Sequence, residues 1–222
     1  MSIAMATAPA SAAVITFPGA ATFQAQTGSP GELVLPNRQN QRPLTVTGQL
    51  TIDNGYSGIY SGATSLFTLA PNFMAIGGVE NFDITPLTTI YAFAFTLYEP
   101  TSTAATNGCN TACVQSTFQV KLYSGATVLA TYTIAPPDNS YDFHGYGSSD
   151  PITLITIRET TGTNDNEFFG RFMLGTQPLT LPEPGSLALL GLGLAGLLVA
   201  LLRSASPRDL TSAAQGDSSR AH

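Results

Sequence analysis

From Val14 to Leu174 the chain runs in short segments where apolar and polar residues alternate, interrupted by Gly, Pro, Asn and Asp. Leu44-Thr45-Val46-Thr47-Gly48-Gln49-Leu50-Thr51-Ile52 puts Leu44, Val46, Leu50 and Ile52 on one face and Thr45, Thr47, Gln49 and Thr51 on the other. A period of two predicts a half-buried strand, and Asp53-Asn54-Gly55 supplies turn chemistry after it. Ile90 to Tyr98 places Tyr91, Phe93, Phe95 and Leu97 on one face and the smaller Ala92, Ala94 and Thr96 on the other. That pattern predicts a central strand packed on both sides. Phe118 to Tyr123 and Val128 to Ile134 flank Ser124-Gly125-Ala126-Thr127 and predict a hairpin. Two further strands are expected at Pro151 to Glu159 and Phe168 to Leu174, separated by the polar loop Thr160 to Glu167. Shorter ones are expected at Val14 to Phe17, Glu32 to Leu35, Ser65 to Leu69 and Asn81 to Ile84. No stretch before Pro182 shows helical periodicity. Many short strands with turn signals between them predict an all-β fold, an antiparallel β-sandwich of the jelly-roll type.

After Leu181 the pattern changes. Leu181-Pro182-Glu183-Pro184-Gly185-Ser186 leads into the apolar run Leu187 to Leu202, and no charged side chain occurs between Glu183 and Arg203. The 18 residues from Gly185 to Leu202 form, at about 1.5 Å rise per residue, a helix of about 27 Å, close to the hydrocarbon thickness of a bilayer. A single C-terminal transmembrane helix at 185–202 is therefore expected. Arg203 and Arg208 on its far side orient the tail to the cytoplasm and everything before Pro182 to the outside. The competing explanations are an ordinary membrane anchor and a buried Leu/Ala helix. Pro182 and Pro184 keep the preceding stretch extended, which suits recognition by a membrane-embedded processing enzyme.

This arrangement resembles the PEP-CTERM sorting signal of Gram-negative bacteria. Pro182-Glu183-Pro184 matches the family's signature, Gly185 to Gly196 its Leu/Gly/Ala-rich span, and Arg203 the start of its basic flank. The chain departs from the family at its end, where single arginines are spread through a tail that runs to His222 instead of forming a tight basic cluster. The resemblance implies an exosortase-type membrane protease as partner, with Pro182, Glu183 and Pro184 as recognition residues and Arg203 and Arg208 as the basic flank. It also implies membrane anchoring before processing, then release to the cell envelope or extracellular matrix. A looser resemblance covers Val79 to Leu174: Val79-Glu80-Asn81-Phe82-Asp83-Ile84-Thr85-Pro86 and Phe143-His144-Gly145-Tyr146-Gly147-Ser148-Ser149-Asp150-Pro151-Ile152 are similar to ectodomains attached to this signal, and bear on fold alone.

These boundaries divide the chain into 1–13, 14–180, 181–208 and 209–222. Met1 to Ala13 has the small-x-small pattern Ala10-Ser11-Ala12 of a secretory signal peptide but no basic n-region, so it is expected to be a signal-peptide remnant with the true start upstream. Residues 14–180 form the ectodomain, 181–208 the sorting signal and 209–222 a polar cytoplasmic tail. Charged residues are only 10% of the chain and the net charge is −6. Nucleic acid, whose phosphates demand clustered cations, is discounted as a partner.

Few side chains suggest chemistry. Cys109 and Cys113, the two cysteines, lie between strands and are expected to form a loop disulfide in an oxidising compartment. A zinc site lacks ligands, since His144 is the one histidine before the sorting signal. His144 has Asp138, Asp142 and Asp150 near it in sequence, but no nucleophile elbow, zincin helix or phosphate loop accompanies it; a turn-region histidine is expected. Asp138, Asn139, Asp142, Asp165, Asn166 and Glu167 offer hard oxygen donors to calcium, in no recognised loop spacing, and they also suit turns. Tyr56, Tyr60, Tyr141 and Tyr146 lie among Gly, Ser and Asn and are candidates for stacking on sugars. The expectation is an exported, non-catalytic surface or matrix protein without cofactor or resident metal. The alternative is a glycan-binding or adhesion module, lectin-like and calcium-dependent, that contacts extracellular polysaccharide. A polysaccharide-acting enzyme ranks third and calls for two carboxyl groups about 5–10 Å apart in a concave site.

Overall fold

The computed structural model describes residues 12–55, 58–61, 72–76, 80–99, 116–137, 139–162, 167–179 and 192–197. Two compact units are distinguished, Met1–Thr180 and Leu181–His222. In the second, residues 192–197 are helical. Among the described residues no helix is long and apolar enough to cross a membrane; the span expected at 185–202 otherwise lies outside them. So do the strand expected at Ser65 to Leu69, Cys109 and Cys113, the Pro182-Glu183-Pro184 signature, Arg203 and Arg208.

The first unit contains β1 (Val14–Phe17), α1 (Ala20–Thr27), β2 (Arg38–Gln41), β3 (Leu44–Val46), β4 (Leu50–Asp53), β5 (Ile59–Ser61), β6 (Phe73–Ile76) and β7 (Phe82–Pro86). These are followed by β8 (Ile90–Glu99), β9 (Thr117–Ser124), β10 (Thr127–Ile134), β11 (Ser140–Ile152), β12 (Leu154–Thr161) and β13 (Phe168–Gly175). A seven-stranded sheet runs β1-β11-β8-β13-β6-β5-β2 and a six-stranded sheet runs β10-β9-β12-β7-β4-β3, with every pairing antiparallel. The alternating strand Leu44 to Ile52 is a hairpin, β3 paired with β4. Thr47 and Gly48 take positive φ at its tip. The central strand is β8, whose Phe93, Phe95 and Leu97 join the core between the sheets. Its Ala92 and Ala94 face a second cluster with Phe17, Phe23 and Met173.

That second cluster corrects one expectation. A helix, α1, precedes Pro182, and it packs where Ala92 and Ala94 leave room. Only Phe23 and Thr27 of α1 are buried, a stripe too thin to register as periodicity. Gly28 ends the helix in the left-handed conformation, φ +64°, which favours glycine. The fully buried Phe23 ring meets Phe17 edge to face at 5.2 Å.

Two more expectations are corrected. Glu32 to Leu35 is not a strand but a single bridge, Glu32 to Met173, although Leu33 and Leu35 are buried. Phe143 to Asp150, with its small residues Gly145, Gly147, Ser148 and Ser149, is the middle of the long strand β11. Its glycines serve packing: a Cβ on Gly145 would stand 2.8 Å from the Phe143 ring, and one on Gly147 2.9 Å from the Phe17 ring. Pro151 to Glu159, expected as one strand, is divided between β11 and β12 at Thr153.

Strand β13 holds the remaining irregularity. Phe169 and Phe172 both belong to the central core although three residues apart, which strict alternation forbids. A bulge between Gly170 and Met173 resolves this. Arg171 sits in it at φ +49°, and its N–H donates to the Asn72 carbonyl at 3.0 Å.

Candidate functional site

The bulge decides where Arg171 points. Its guanidinium carbon lies 5.3 Å from the Tyr141 ring centre and 5.7 Å from that of Phe73. These rings come from different strands of the seven-stranded sheet. Tyr141 is opposite Tyr98 and Tyr98 opposite Phe168, while Phe73 is opposite Gly170. The rings of Tyr141 and Tyr98 are 4.8 Å apart, and those of Tyr141 and Phe73 5.6 Å. The Tyr98 hydroxyl donates to Asn139 Oδ1 at 2.6 Å, and burial beside Tyr141 raises its pKa. Phe73 and Phe168 are buried beneath, whereas Tyr141 remains 48% exposed. The result is an aromatic platform with one cation on it, able to stack on a flat apolar ligand face and donate to an acceptor at its rim.

Of the four tyrosines singled out for sugars, Tyr141 belongs to this platform. Tyr146 does not: only 2% exposed, it stacks on Tyr132 at 4.6 Å inside the sandwich. Burial pushes its hydroxyl pKa far up. Tyr60 is half-buried in β5, and Tyr56 lies outside the described residues. Sequence reasoning missed Tyr98, Phe73 and Arg171. The available signal was Arg171 itself, a lone cation inside Phe168-Phe169-Gly170-Arg171-Phe172-Met173.

His144 stands mid-strand, correcting the turn expected for it. Its Nε2 lies 3.1 Å from Asp142 Oδ2, and its ring packs on Phe95 with centres 5.3 Å apart. Burial lowers its pKa despite the opposing pull of Asp142. Asp150 is exposed near the other end of β11 and does not join the pair.

Glu167, weighed above as a calcium ligand, instead joins buried polar groups linking both sheets. Ser116 Oγ donates to Glu167 Oε1, Ser116 N–H donates to Glu99 Oε1 at 2.9 Å, and Glu167 N–H donates to Glu80 Oε1 at 3.0 Å. Glu80 N–H donates to Glu159 Oε2 at 3.3 Å. Of these carboxyls, Glu80, Glu99 and Glu167 are buried and Glu159 is partly buried. Among the described residues no group of three or more His, Cys, Asp or Glu is arranged to hold a metal ion. Asp138, Asp165 and Asn166 lie outside those residues; Asn139 and Asp142 are engaged as above. A separate recess of about 320 Å³ is lined by Asp53, Asp83 and Arg158 among others. There Arg158 is occupied by Asp83 and by the Phe82 carbonyl.

Burial, then the neighbouring Glu167 carboxyl, raises the Glu80 pKa well above its ordinary 4.5. A raised folded-state pKa means that this group's contribution is full below about pH 4.5 and is lost as pH rises through the folded value. Glu80→Gln keeps the oxygen that accepts from Glu167 N–H and supplies a permanent donor. It is expected to stabilise the domain at pH 7 and flatten the decline above pH 4.5, with little effect at pH 4. Thermal midpoints of both proteins across that range test this; an unchanged slope would mean that Glu80 does not titrate as described.

Residues 180–204 match the PEP-CTERM protein-sorting motif. No curated protein matches the chain. Among solved structures, it is similar to a mutant family 29 carbohydrate binding module complexed with mannohexaose, at 13% identity and TM-score 0.39, over 67% of this chain and 92% of that one. Another family 29 carbohydrate binding module matches at 13% identity and TM-score 0.39, over 72% and 97%. Likenesses this distant carry no weight for what the chain binds.

Proposed function

The chain carries a PEP-CTERM protein-sorting motif at residues 180–204, and on that premise we propose that it is an exported, non-catalytic protein of the cell surface or extracellular matrix. The motif match is the observation that carries this reading. Pro182, Glu183 and Pro184 are the residues that an exosortase-type membrane protease recognises. The apolar run through Leu202 spans the inner membrane of a Gram-negative cell until processing, with Arg203 and Arg208 on the cytoplasmic side. The ectodomain, of jelly-roll type and stapled at Cys109 and Cys113, is then released to the envelope or a polysaccharide matrix.

The test is intact mass with C-terminal peptide mapping of the protein from its native host's surface and medium. The expected chain ends between Leu181 and Ser186; triple alanine replacement of Pro182, Glu183 and Pro184 is expected to leave full-length protein in the membrane fraction. Recovery of released wild-type chains still ending in Arg220-Ala221-His222 would overturn the sorting role. A second reading, a glycan-binding or adhesion module, is favoured by one observation: the half-exposed Tyr141 ring beside Tyr98. Calcium dependence would rest on Asp138 or Asp165 with their neighbours.

A further inference from the structure

The geometry points to a binding site for acidic polysaccharide on the Tyr141, Tyr98 and Arg171 platform, with Arg171 selecting the anionic sugar. This assignment rests on the glycan-binding reading above and adds the ligand class and the selecting residue. Bulges re-aim side chains and are common beside functional sites. Here the bulge holds a non-glycine residue at φ +49°, a conformation disfavoured for L-residues and concentrated at functional positions. Its outcome is to set Arg171 above two rings instead of into the core.

Arg42 pairs with Asp53 and Arg158 with Asp83. Arg171 and Arg38 have no carboxylate partner among the described residues, and of these two it is Arg171 that lies over aromatic rings. On a protein with net charge −6, an arginine held over aromatic faces with no carboxylate partner among the described residues is a local anion site. A guanidinium lying over ring faces can direct its edge N–H groups to a planar carboxylate, which meets them with two parallel hydrogen bonds. The exposed Tyr141 ring takes the C–H face of a pyranose beside it. Tyr98, fixed by its bond to Asn139, backs Tyr141 and limits its rotation. A single cation is too little for nucleic acid. A uronic acid unit meets both requirements: a flat apolar face and a carboxylate attached to the same ring.

Affinity electrophoresis of the full chain in non-ionic detergent, through gels containing alginate as the polyuronate or dextran as the neutral polymer, tests this. Alginate is expected to retard the protein and dextran not, with retardation weakening as salt is added. Tyr141→Ala and Arg171→Gln are each expected to weaken alginate binding about tenfold. Arg171→Lys, which keeps the charge but loses the paired donors, should fall between. Thermal midpoints of each variant establish folding, and Tyr60→Ala serves as an off-site control. Equal retardation by dextran, still lost in Tyr141→Ala, would overturn selection by Arg171 and leave the glycan reading standing. Alginate retardation unaffected by Arg171→Gln and Tyr141→Ala would overturn the site, and no retardation by either polymer would overturn both.

Discussion

Phe169→Ala is expected to lower the unfolding free energy of the sandwich by about 3–5 kcal/mol, the usual loss for a buried phenylalanine. Phe169 is fully buried, and its contacts belong to both sheets. Its ring meets Phe82 at 4.8 Å and Phe118 at 5.3 Å across the core, and Phe95 at 6.3 Å in its own sheet. The surrounding rings lie on three separate strands, so they cannot collapse together to fill the gap, and the cavity contribution adds to the lost burial. Domains of this size are stable by about 5–15 kcal/mol, so the variant would lose at least about a fifth of that margin. Urea unfolding checks this: the midpoint should fall with an unchanged slope. A loss under about 1 kcal/mol would mean that Phe169 is not the contact between the sheets described here.

Gly170→Ala is expected to act differently, releasing one part of a sheet at a cost of about 1–3 kcal/mol. A Cβ at Gly170 would collide with the Asn72 carbonyl oxygen and stand 2.8 Å from the Phe73 Cα, and backbone atoms cannot move aside as a flexible side chain does. The junction at risk is narrow. Strands β6, β5 and β2 join the seven-stranded sheet through β13, in a register of two pairs, Phe169 with Met74 and Gly170 with Phe73. Hydrogen exchange should therefore quicken at Phe73–Ile76 and Ile59–Ser61 while amides paired between β8 and β11 keep their protection. Uniform loss of protection across both sheets would contradict a local role for this junction.

What could be read from sequence followed from how strongly each segment's pattern depends on its own residues. Leu44 to Ile52 and Ile90 to Tyr98 declare their faces by alternation, so two antiparallel sheets and the doubly covered β8 were legible. The same rule hid β11. Gly145 and Gly147 are small because Phe17 and Phe143 press on them, yet glycine in a linear chain signals a turn. Helix α1 was hidden because two side chains and a glycine cap hold it against a surface supplied by β8, β1 and β13. The platform was half legible. Tyr141 was a candidate by type, but its partners Tyr98, Phe73 and Arg171 lie far apart in the chain, and the bulge that turns Arg171 outward depends on Asn72 across the sheet. The sorting signature, being contiguous, needed no folding to be read.

Among the described residues strand β13 is the last in sequence, ending at Gly175, yet it lies inside its sheet between β8 and β6. For a chain that emerges N-terminus first, whether from a ribosome or across a membrane, this sets the order of events. Until Phe168 to Gly175 arrive, β1-β11-β8 and β6-β5-β2 are two separate ribbons, each with an unpaired backbone edge. Such edges are the ones that seek foreign strands. Completion of the sheet thus waits for nearly the whole ectodomain and comes just before the sorting segment, which begins a few residues later. A chain cut short before Phe168 would have most of its core residues and none of the means to seal it.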